Sequence, residues 1–347
     1  MAYTTINKST AHFNTKLWTG NGSAGNAQTG VGFQPDFTWI KARAGSQGSQ
    51  SHILNNVVRG AGKFLYCDST DAESTDTNRL TSFNADGFTV GSNNSVNASS
   101  TTYVGWNWKA GNAQGSSNTD GSINTTYTSV NTTSGFSISQ YTGTGSNATV
   151  GHGLGVAPKW IFTKCTSHTS DWMVYYGDAT DFLKLNENNA TEDLDTVWND
   201  TAPTNSVFSL GSNGDVNTSG RTYIAFCFAE KTGFSKVGTY TGNGSTNGVF
   251  NYTGFKPTFV IIKRLNSNQP WCMWDNKRSP FNVSQNYLYA NTSDAEGSGA
   301  SINIDMLSNG FKLRASGSFL NTSGDSFIYI AFGQSLVGSN NIPATAR

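Results

Sequence analysis

The chain of 347 residues carries 22 basic and 22 acidic side chains, and charged residues make up only 13% of it. This balance, without any cluster of more than two Lys or Arg residues, excludes the electrostatic patch that nucleic acid or an anionic membrane needs. No apolar run approaches the roughly 20 residues of a membrane span. The 21 Phe, 13 Tyr and 9 Trp residues supply ample apolar surface for a core, which excludes a disordered chain.

The first segment, MAYTTINKSTAHFNTKLW, is polar and lacks the apolar stretch of a secretory signal. We therefore expect a protein that is made in a cytoplasm. Residues 1–12 precede the first repeated motif, and we expect them to act as an anchor that adds a strand to the exposed sheet edge of a partner.

Three near-copies of one motif divide the chain into repeats. In each repeat a proline follows an aromatic residue by 17 positions, and a lysine follows the proline by six. These residues are Trp18, Pro35 and Lys41 in the first repeat, Tyr141, Pro158 and Lys164 in the second, and Tyr240, Pro257 and Lys263 in the third. Each repeat also ends on a similar run, namely NASSTTYVGWNW, NTSGRTYIAFCF and NTSGDSFIYIAF. A spacing of about a hundred residues is typical of whole domains and too long for a solenoid repeat.

The repeats predict an all-β chain of three tandem antiparallel β-sandwich domains of the jelly-roll or lectin-like kind. The first domain is predicted at 1–112 with a short N-terminal arm, the second at 134–232, and the third at 233–347 with a C-terminal tail. Residues 113–133 are rich in Gly, Ser, Asn and Thr, and we expect an extended connector that leaves the first domain independently placed. The second and third repeats meet at AEKTGFSK with almost no slack, so we expect a fixed mutual orientation for them.

Short apolar runs after each proline predict strands. The runs FTWIK, WIFTK and FVIIK are rich in β-branched and aromatic residues. The closing run TYVGWNW alternates, so that Val104, Trp106 and Trp108 share one wholly apolar face. NADGFTV and LSNGFKL contain the Asp-Gly and Asn-Gly pairs that favour tight hairpins. Only residues 178–198 are expected to hold a turn or two of helix.

Clustered carboxylates raise the question of a calcium site. The stretch YCDSTDAES contains Asp68, Asp71 and Glu73, and the third repeat matches the last two acids with Asp294 and Glu296. Calcium prefers clustered oxygen ligands, but no EF-hand spacing is present. A solvated loop is the favoured interpretation, and a metal loop is the alternative.

No catalytic, cofactor-binding or metal-binding residue stands out. A glycosidase needs two carboxylates across a cleft, and pairs such as Glu192 with Asp195 are permitted but not singled out. The glycine-rich TGNGS and VGHGLG segments lack the spacing of phosphate or dinucleotide loops. The histidines have no zinc-ligand spacing; they are His12, His52, His152 and His168. We therefore expect no enzymatic activity and no cofactor.

Two tryptophans stand at matching places and suggest binding. Trp172 and Trp271 each lie eight residues after the repeat lysine, whereas the first repeat has His52 in that region. An exposed indole there would stack on a sugar, but the apolar neighbours favour a place in the core.

The four cysteines, Cys67, Cys165, Cys227 and Cys272, occupy non-equivalent positions in the repeats. A shared disulfide framework is therefore not expected, and the sequence predicts small buried thiols.

Several longer phrases carry a family resemblance. They include GFSISQYTGTGSNATVGHGLGVAPKWI, TAPTNSVFSLG, TYIAFCFAEKTGFSKVGTYTGNGS and LSNGFKLR. From about Thr10 to Leu336 the chain resembles a repeat-bearing family of virion proteins from bacteriophages, common in marine phages. The resemblance implies lectin-like β-sandwich modules in a tail fibre or another structural position, with no catalytic residues. The chain begins almost directly with the first module, which favours a capsid decoration protein or a short fibre held by an adaptor.

These features together predict a non-enzymatic structural protein on the virion surface. Its expected partners are a tail adaptor or the capsid, further copies of the chain in a homo-oligomer such as a trimer, and a host-surface glycan. The alternatives are a carbohydrate-binding adhesion module, which needs exposed aromatic residues in a groove, and a tailspike-like glycan hydrolase, which needs two facing acids. We expect the purified protein to release no sugar from polysaccharide.

Overall fold

The computed structural model describes residues 4–337 and is built almost entirely of antiparallel strands, so the prediction of an all-β chain is confirmed. The first repeat has a 3-10 helix at Ser9–Ala11, strands β1 Phe13–Thr19, β2 Asn26–Thr29, β3 Phe37–Ala44, β4 Ile53–Asn56, β5 Lys63–Tyr66, β6 Ser74–Thr75, β7 Leu80–Asn84, β8 Gly87–Val90, helix α1 Asn94–Asn97 and strand β9 Thr102–Trp108.

The second repeat, together with the segment before it, has strands β10 Tyr127–Asn131, β11 Phe136–Thr142, β12 Ala148–Gly151, β13 Trp160–Cys165, β14 Met173–Tyr175, β15 Asp181–Lys184, β16 Glu192–Asp193, helix α2 Asp195–Trp198, β17 Val207–Leu210, helix α3 Gly214–Asn217 and β18 Thr222–Phe228. The third has β19 Ser235–Thr241, β20 Phe250–Tyr252, β21 Phe255–Arg264, β22 Cys272–Asp275, β23 Asn286–Tyr289, β24 Gly297–Ser298, β25 Ile304–Leu307, β26 Gly310–Leu313 and β27 Ser326–Ser335. The helical turn expected within 178–198 is α2, which ends that range. The expectation that helix is confined to this range is wrong, because the 3-10 helix, α1 and α3 lie outside it.

Each repeat builds one large sheet with the same strand order. The orders are β1-β9-β3-β4-β5-β6, β11-β18-β13-β14-β15-β16 and β19-β27-β21-β22-β23-β24, and β10 is added at the β11 edge of the second sheet. The closing strand of each repeat therefore lies between its first strand and its post-proline strand. Smaller sheets, β2-β8-β7, β12-β17 and β20-β26-β25, complete the repeats. The hairpins β7-β8 and β25-β26 form at the predicted Asp-Gly and Asn-Gly pairs.

The two faces of each large sheet have different partners. In the first repeat, Trp18, Phe88 and Tyr103 belong to a small apolar cluster between the large and the small sheet. The second and third repeats have equivalent clusters of their own. The alternate residues Val104 and Trp106 of β9 lie on the opposite face and belong to a different cluster, as their period of two requires.

This second cluster is shared by all three repeats, and we call it the central core. Ring centroids lie 4.6 Å apart for Phe37 and Phe226, which joins the first and second repeats, and 5.6 Å apart for Phe228 and Phe332, which joins the second and third. Six of the nine tryptophans belong to it: Trp39, Trp106, Trp108, Trp160, Trp172 and Trp271. The first repeat is therefore fixed against the other two, and the expectation that it is placed independently is wrong.

The predicted connector, 113–133, is also different from the expectation of a free linker. Its residues Tyr127–Asn131 form strand β10. Just before it, the Asp36 carboxylate accepts hydrogen bonds from the backbone N–H groups of Ala110 at 2.6 Å and Asn112 at 3.0 Å. Burial raises the pKa of Asp36 to about 6, although these two N–H groups oppose the shift. Within the segment, the Thr128 N–H donates to the Ser116 carbonyl at 2.7 Å, so its backbone is held by hydrogen bonds.

The expected N-terminal anchor is packed against the chain itself over the residues that the structure describes. Ile6 is buried in the central core, and the Thr4 hydroxyl donates to the Thr232 carbonyl at 2.6 Å. Met1, Ala2 and Tyr3 lie outside the described residues. Residues 4–12 are therefore packed as part of the fold and do not form a free arm.

The three repeat lysines close the arrangement into a ring. The Lys164 ammonium donates to Thr70 of the first repeat at 2.9 Å, Lys263 to Asn188 of the second at 3.2 Å, and Lys41 to Ser293 of the third at 3.1 Å, in each case at the backbone carbonyl. All three lysines are buried, and burial lowers the pKa of each to about 8. The lysines of the second and third repeats thus donate to the preceding repeat, and the lysine of the first repeat donates to the third.

A core mutation tests whether the repeats unfold together. Phe226→Ala removes a ring that packs on Phe37 across the boundary of two repeats, and we expect a loss of about 3–5 kcal/mol in the free energy of unfolding. Because the central core is common, calorimetry should give one transition with a lower midpoint. Two separate transitions would contradict the shared core. Phe281→Ala is the control, since its ring is 76% exposed and the change should stay within about 0.5 kcal/mol.

The pKa of Lys164 predicts a pH dependence. Its folded value of about 8 lies below the ordinary value of 10.5, so between these pH values the unfolded chain binds more protons and stability rises with pH. The parent should gain about 2 kcal/mol over Lys164→Met from pH 7.5 to 9.5, as measured by urea unfolding. A pH-independent difference would show that this ammonium keeps its proton. Lys8→Met, at an exposed residue, should follow the parent profile.

Candidate functional site

A groove with a volume of about 650 Å³ opens where the second and third repeats meet. One wall is strand β19, and the other is the segment that follows β14. Its lining includes Lys159, Tyr176, Asp178, Asp181, Glu230, Lys236, Val237, Gly238 and Thr239. The groove has both polar and apolar lining residues and carries charges of both signs.

Within residues 4–337, strand β19 is an edge strand whose only strand partner is β27. On the groove side the Val237 N–H donates to the Glu230 carboxylate at 2.8 Å. Alternate residues of a strand direct their backbone groups to the same side, so the Thr239 N–H also faces the groove. The acidic side chain therefore stands where a neighbouring strand would place a carbonyl oxygen.

Gly238 lies in the middle of this edge and leaves space for a tyrosine from the adjacent strand. A Cβ atom on Gly238 would lie 2.5 Å from the Tyr329 hydroxyl, so the ring of Tyr329 covers the glycine. Burial raises the pKa of Tyr329 to about 12, and the nearby Glu230 carboxylate adds to the shift. Among residues 4–337 this hydroxyl has no hydrogen-bond partner.

The opposite wall is a short turn with a buried tyrosine. The Tyr176 hydroxyl donates to the Asp181 carboxylate at 3.1 Å, and burial, followed by the charge of Asp181, raises the pKa of Tyr176. Asp178 is exposed at the rim. With Lys159 and Lys236 nearby, these acids give a groove that can hold a polar ligand by hydrogen bonds.

Glu73 and Glu296, which the alternative interpretation placed in calcium loops, form ion pairs with basic side chains. Glu73 pairs with Arg59 at 3.2 Å and Lys63 at 3.0 Å. Glu296 pairs with Arg43 of the first repeat at 2.7 Å and with the buried Arg278 at 3.1 Å. Their backbone N–H groups also bond to the neighbouring repeats. These acids therefore belong to the contacts between repeats.

The remaining acidic side chains are not gathered at a common metal or catalytic site either. Burial raises the pKa of Asp68, which is half-buried, whereas Asp71 and Asp294 are exposed. Glu192 lies 3.4 Å from Lys184, and Asp195 begins helix α2. Within residues 4–337 no group of three His, Cys, Asp or Glu side chains is arranged to hold a metal ion.

Trp172 and Trp271 are fully buried, as the interpretation of core residues predicted, but they lie in the central core between repeats. Their indole N–H groups donate across the boundaries, Trp172 to the Tyr66 carbonyl at 2.8 Å and Trp271 to the Lys184 carbonyl at 2.9 Å. Neither ring can stack on a sugar.

His52 takes the third such position. Its Nε2 lies 2.9 Å from the Tyr289 carbonyl, and its Nδ1 accepts from the Trp39 indole at 2.8 Å. Burial lowers the pKa of His52 well below its ordinary value, which keeps the ring neutral with the proton on Nε2. At each of the three boundaries, a buried ring N–H therefore donates to a backbone carbonyl of the neighbouring repeat. The ring is an indole at two boundaries and an imidazole at the third.

The other three histidines do not take part in this contact between repeats. Burial lowers the pKa of His12 and of His152, and His152 accepts from the Leu154 N–H at 3.1 Å. His168 is exposed beside Ser167. All four cysteines are free and buried, as the sequence predicted.

Sequence reasoning missed the exposed aromatic residues of β20. Phe250 is 42% and Tyr252 is 55% exposed. The two residues are two positions apart in a strand and therefore share a face. The period-two spacing in VFNYTG was the signal that could have found them.

Comparison with known proteins gives one family. The model of a family described as Domain of unknown function (DUF7483) matches residues 8–335 as a single stretch, so the chain belongs to this family. A search of curated proteins finds no similar sequence. Within residues 4–337, no helix has the length and apolar character needed to cross a membrane.

Proposed function

Starting from this family membership, we propose that the chain is a non-enzymatic structural protein on the surface of a bacteriophage particle. The resemblance of its repeated phrases to phage virion proteins suggests the setting. The observation that carries the proposal is the ring of repeats around one aromatic core. Side chains that could act in catalysis or ligand binding instead form contacts between repeats, as Lys164, Glu296 and Trp172 do.

We also propose that each repeat is a lectin-like β-sandwich, at 1–112, 134–232 and 233–347. The support is the apolar cluster that each large sheet shares with its own smaller sheet. The central core then lies outside the sandwiches, on the other face of the large sheets. This arrangement gives a rigid body with little charge, which suits a particle exposed to salt and proteases.

On this proposal the chain is a tail-fibre, receptor-binding or capsid decoration protein, present in many copies. Its partners are a tail adaptor or capsid protein and further copies of itself. A trimer of chains was the expectation by analogy with phage fibres. One chain already brings three repeats around a common core, so a trimer of chains is not needed to obtain three similar faces.

The proposal is tested on purified particles of the phage that encodes the chain. We expect mass spectrometry to find the intact protein in gradient-purified particles at a fixed ratio to the major capsid protein, and labelled antibody to decorate their surface. Absence from the particles, with the protein found only in the soluble lysate, would contradict the virion assignment. A non-structural phage enzyme from the same lysate is the control for carry-over.

A second candidate function is glycan binding at the exposed face of β20. Phe250 and Tyr252 offer two aromatic rings on one face, and sugars stack on such rings. We expect the double variant Phe250→Ala and Tyr252→Ala to lose binding to host-surface glycan on an array by at least about tenfold, with little change in stability. Phe281→Ala, also exposed, is the matched control. Equal binding by all three proteins would exclude this face.

A further inference from the structure

The first strands β1, β11 and β19 take equivalent places at one side of the three large sheets. In the second repeat this edge is covered, because β10 pairs antiparallel with β11. Ser129 lies opposite Ile138, and the Thr128 hydroxyl lies 3.1 Å from the Ser139 hydroxyl. The connector from the first repeat thus supplies a strand to the second.

Within residues 4–337, no strand covers the corresponding edge of the third repeat. Only a short segment joins β18 to β19, and it closes on itself through a bridge between Lys231 and Ser235. In sheet register Val237 and Gly238 match Ile138 and Ser139. The edge that β10 covers in the second repeat is therefore the wall of the 650 Å³ groove in the third.

In the first repeat the corresponding edge is partly covered. The opening beside β1 is about 200 Å³, and its lining includes Ser9 and Thr10 from the N-terminal segment. The same place in the fold is thus filled by the connector at β11, narrowed at β1, and open at β19.

We propose that the groove beside β19 binds an extended segment of another polypeptide chain, which pairs antiparallel with β19 as β10 pairs with β11. The backbone N–H groups of Val237 and Thr239 are the donors for this added strand. Glu230 moves aside, because its carboxylate holds the place of the incoming carbonyl. Addition of a strand to a sheet edge is a common mode of peptide recognition.

The side-chain preferences of the occupant follow from β10. A Thr or Ser opposite Gly238 reaches the unpaired Tyr329 hydroxyl, as Thr128 reaches Ser139. One residue away, Tyr127 packs against the central core in the covered site, and the open groove has room for an aromatic residue there. An uncharged, hydroxyl-rich strand with one aromatic residue is the expected partner.

A polypeptide fits this groove better than a glycan does. The donors repeat along the edge at the spacing of a strand. Among the residues that the structure describes, the groove is lined by one aromatic residue, Tyr176, and its ring is buried. The inference rests on the three edges and stands whether or not the chain is a virion protein.

The test uses a fluorescent synthetic peptide with the sequence of residues 123–132, INTTYTSVNT, and the full-length protein. We expect saturable binding by fluorescence anisotropy below about 1 mM. Glu230→Ala frees the Val237 N–H and should tighten binding about threefold to tenfold. The peptide with the Ser129→Pro change lacks the N–H that faces the edge, so it is the control and should not bind.

Two protein variants test whether the peptide binds in the groove. Thr239→Pro removes a donor at an edge where proline is tolerated, and binding should be lost while the melting temperature is retained. Tyr329→Phe keeps the ring and should weaken binding about threefold or more. If Thr239→Pro fails to fold, Tyr329→Phe decides.

Three results would overturn the proposal. They are no saturable binding by the parent and by Glu230→Ala, equal binding of the proline-containing peptide, and binding that neither groove variant changes. Binding of oligosaccharides in place of the peptide, lost in Thr239→Pro, would show that the groove is a glycan site and would also overturn it.

Discussion

The burial of aromatic side chains between the three large sheets is the interaction on which the rest of the structure depends. A sheet with two apolar faces needs a partner on each, and in this chain the smaller sheet covers only one of them. The other face, with Trp106 in β9 and Phe226 in β18, is covered by the remaining repeats. Separate sandwiches would leave this face in water, so the repeats are stable as a ring.

The polar contacts at the boundaries follow from this packing. Once the large sheets meet, the ends of their strands are shut off from solvent, and buried donors require acceptors. The repeat lysines and the indoles of Trp172 and Trp271 donate to carbonyls of the neighbouring repeat, and His52 does so in the first. The repeated lysine and tryptophan, which in a single repeat resemble binding-site residues, therefore form contacts between two repeats.

Local patterns were enough to predict the strands but not their partners. The period of two in TYVGWNW predicted an apolar face for Trp106 and Trp108, and hairpins formed at the expected Asp-Gly and Asn-Gly pairs. Which surface covers that face is a tertiary question that no single-repeat pattern contains. Likewise, the composition of 113–133 suggested a flexible linker, although Tyr127–Asn131 form strand β10. The hydrogen bonds of the preceding residues Ala110 and Asn112 to the distant Asp36 carry no local signal. The groove was missed for the same reason, since its walls come from two repeats.

Repetition also separates structural residues from candidates for function. A feature present in all three repeats, such as the buried lysine, is explained by the ring, since each boundary needs it once. A feature present in a single repeat is not required by the ring. Strand β10, the open edge of β19 and the exposed pair Phe250 and Tyr252 are of this second kind. Two of these three features belong to the third repeat, so its surface differs most from what packing alone demands, and recognition by this chain is best sought there.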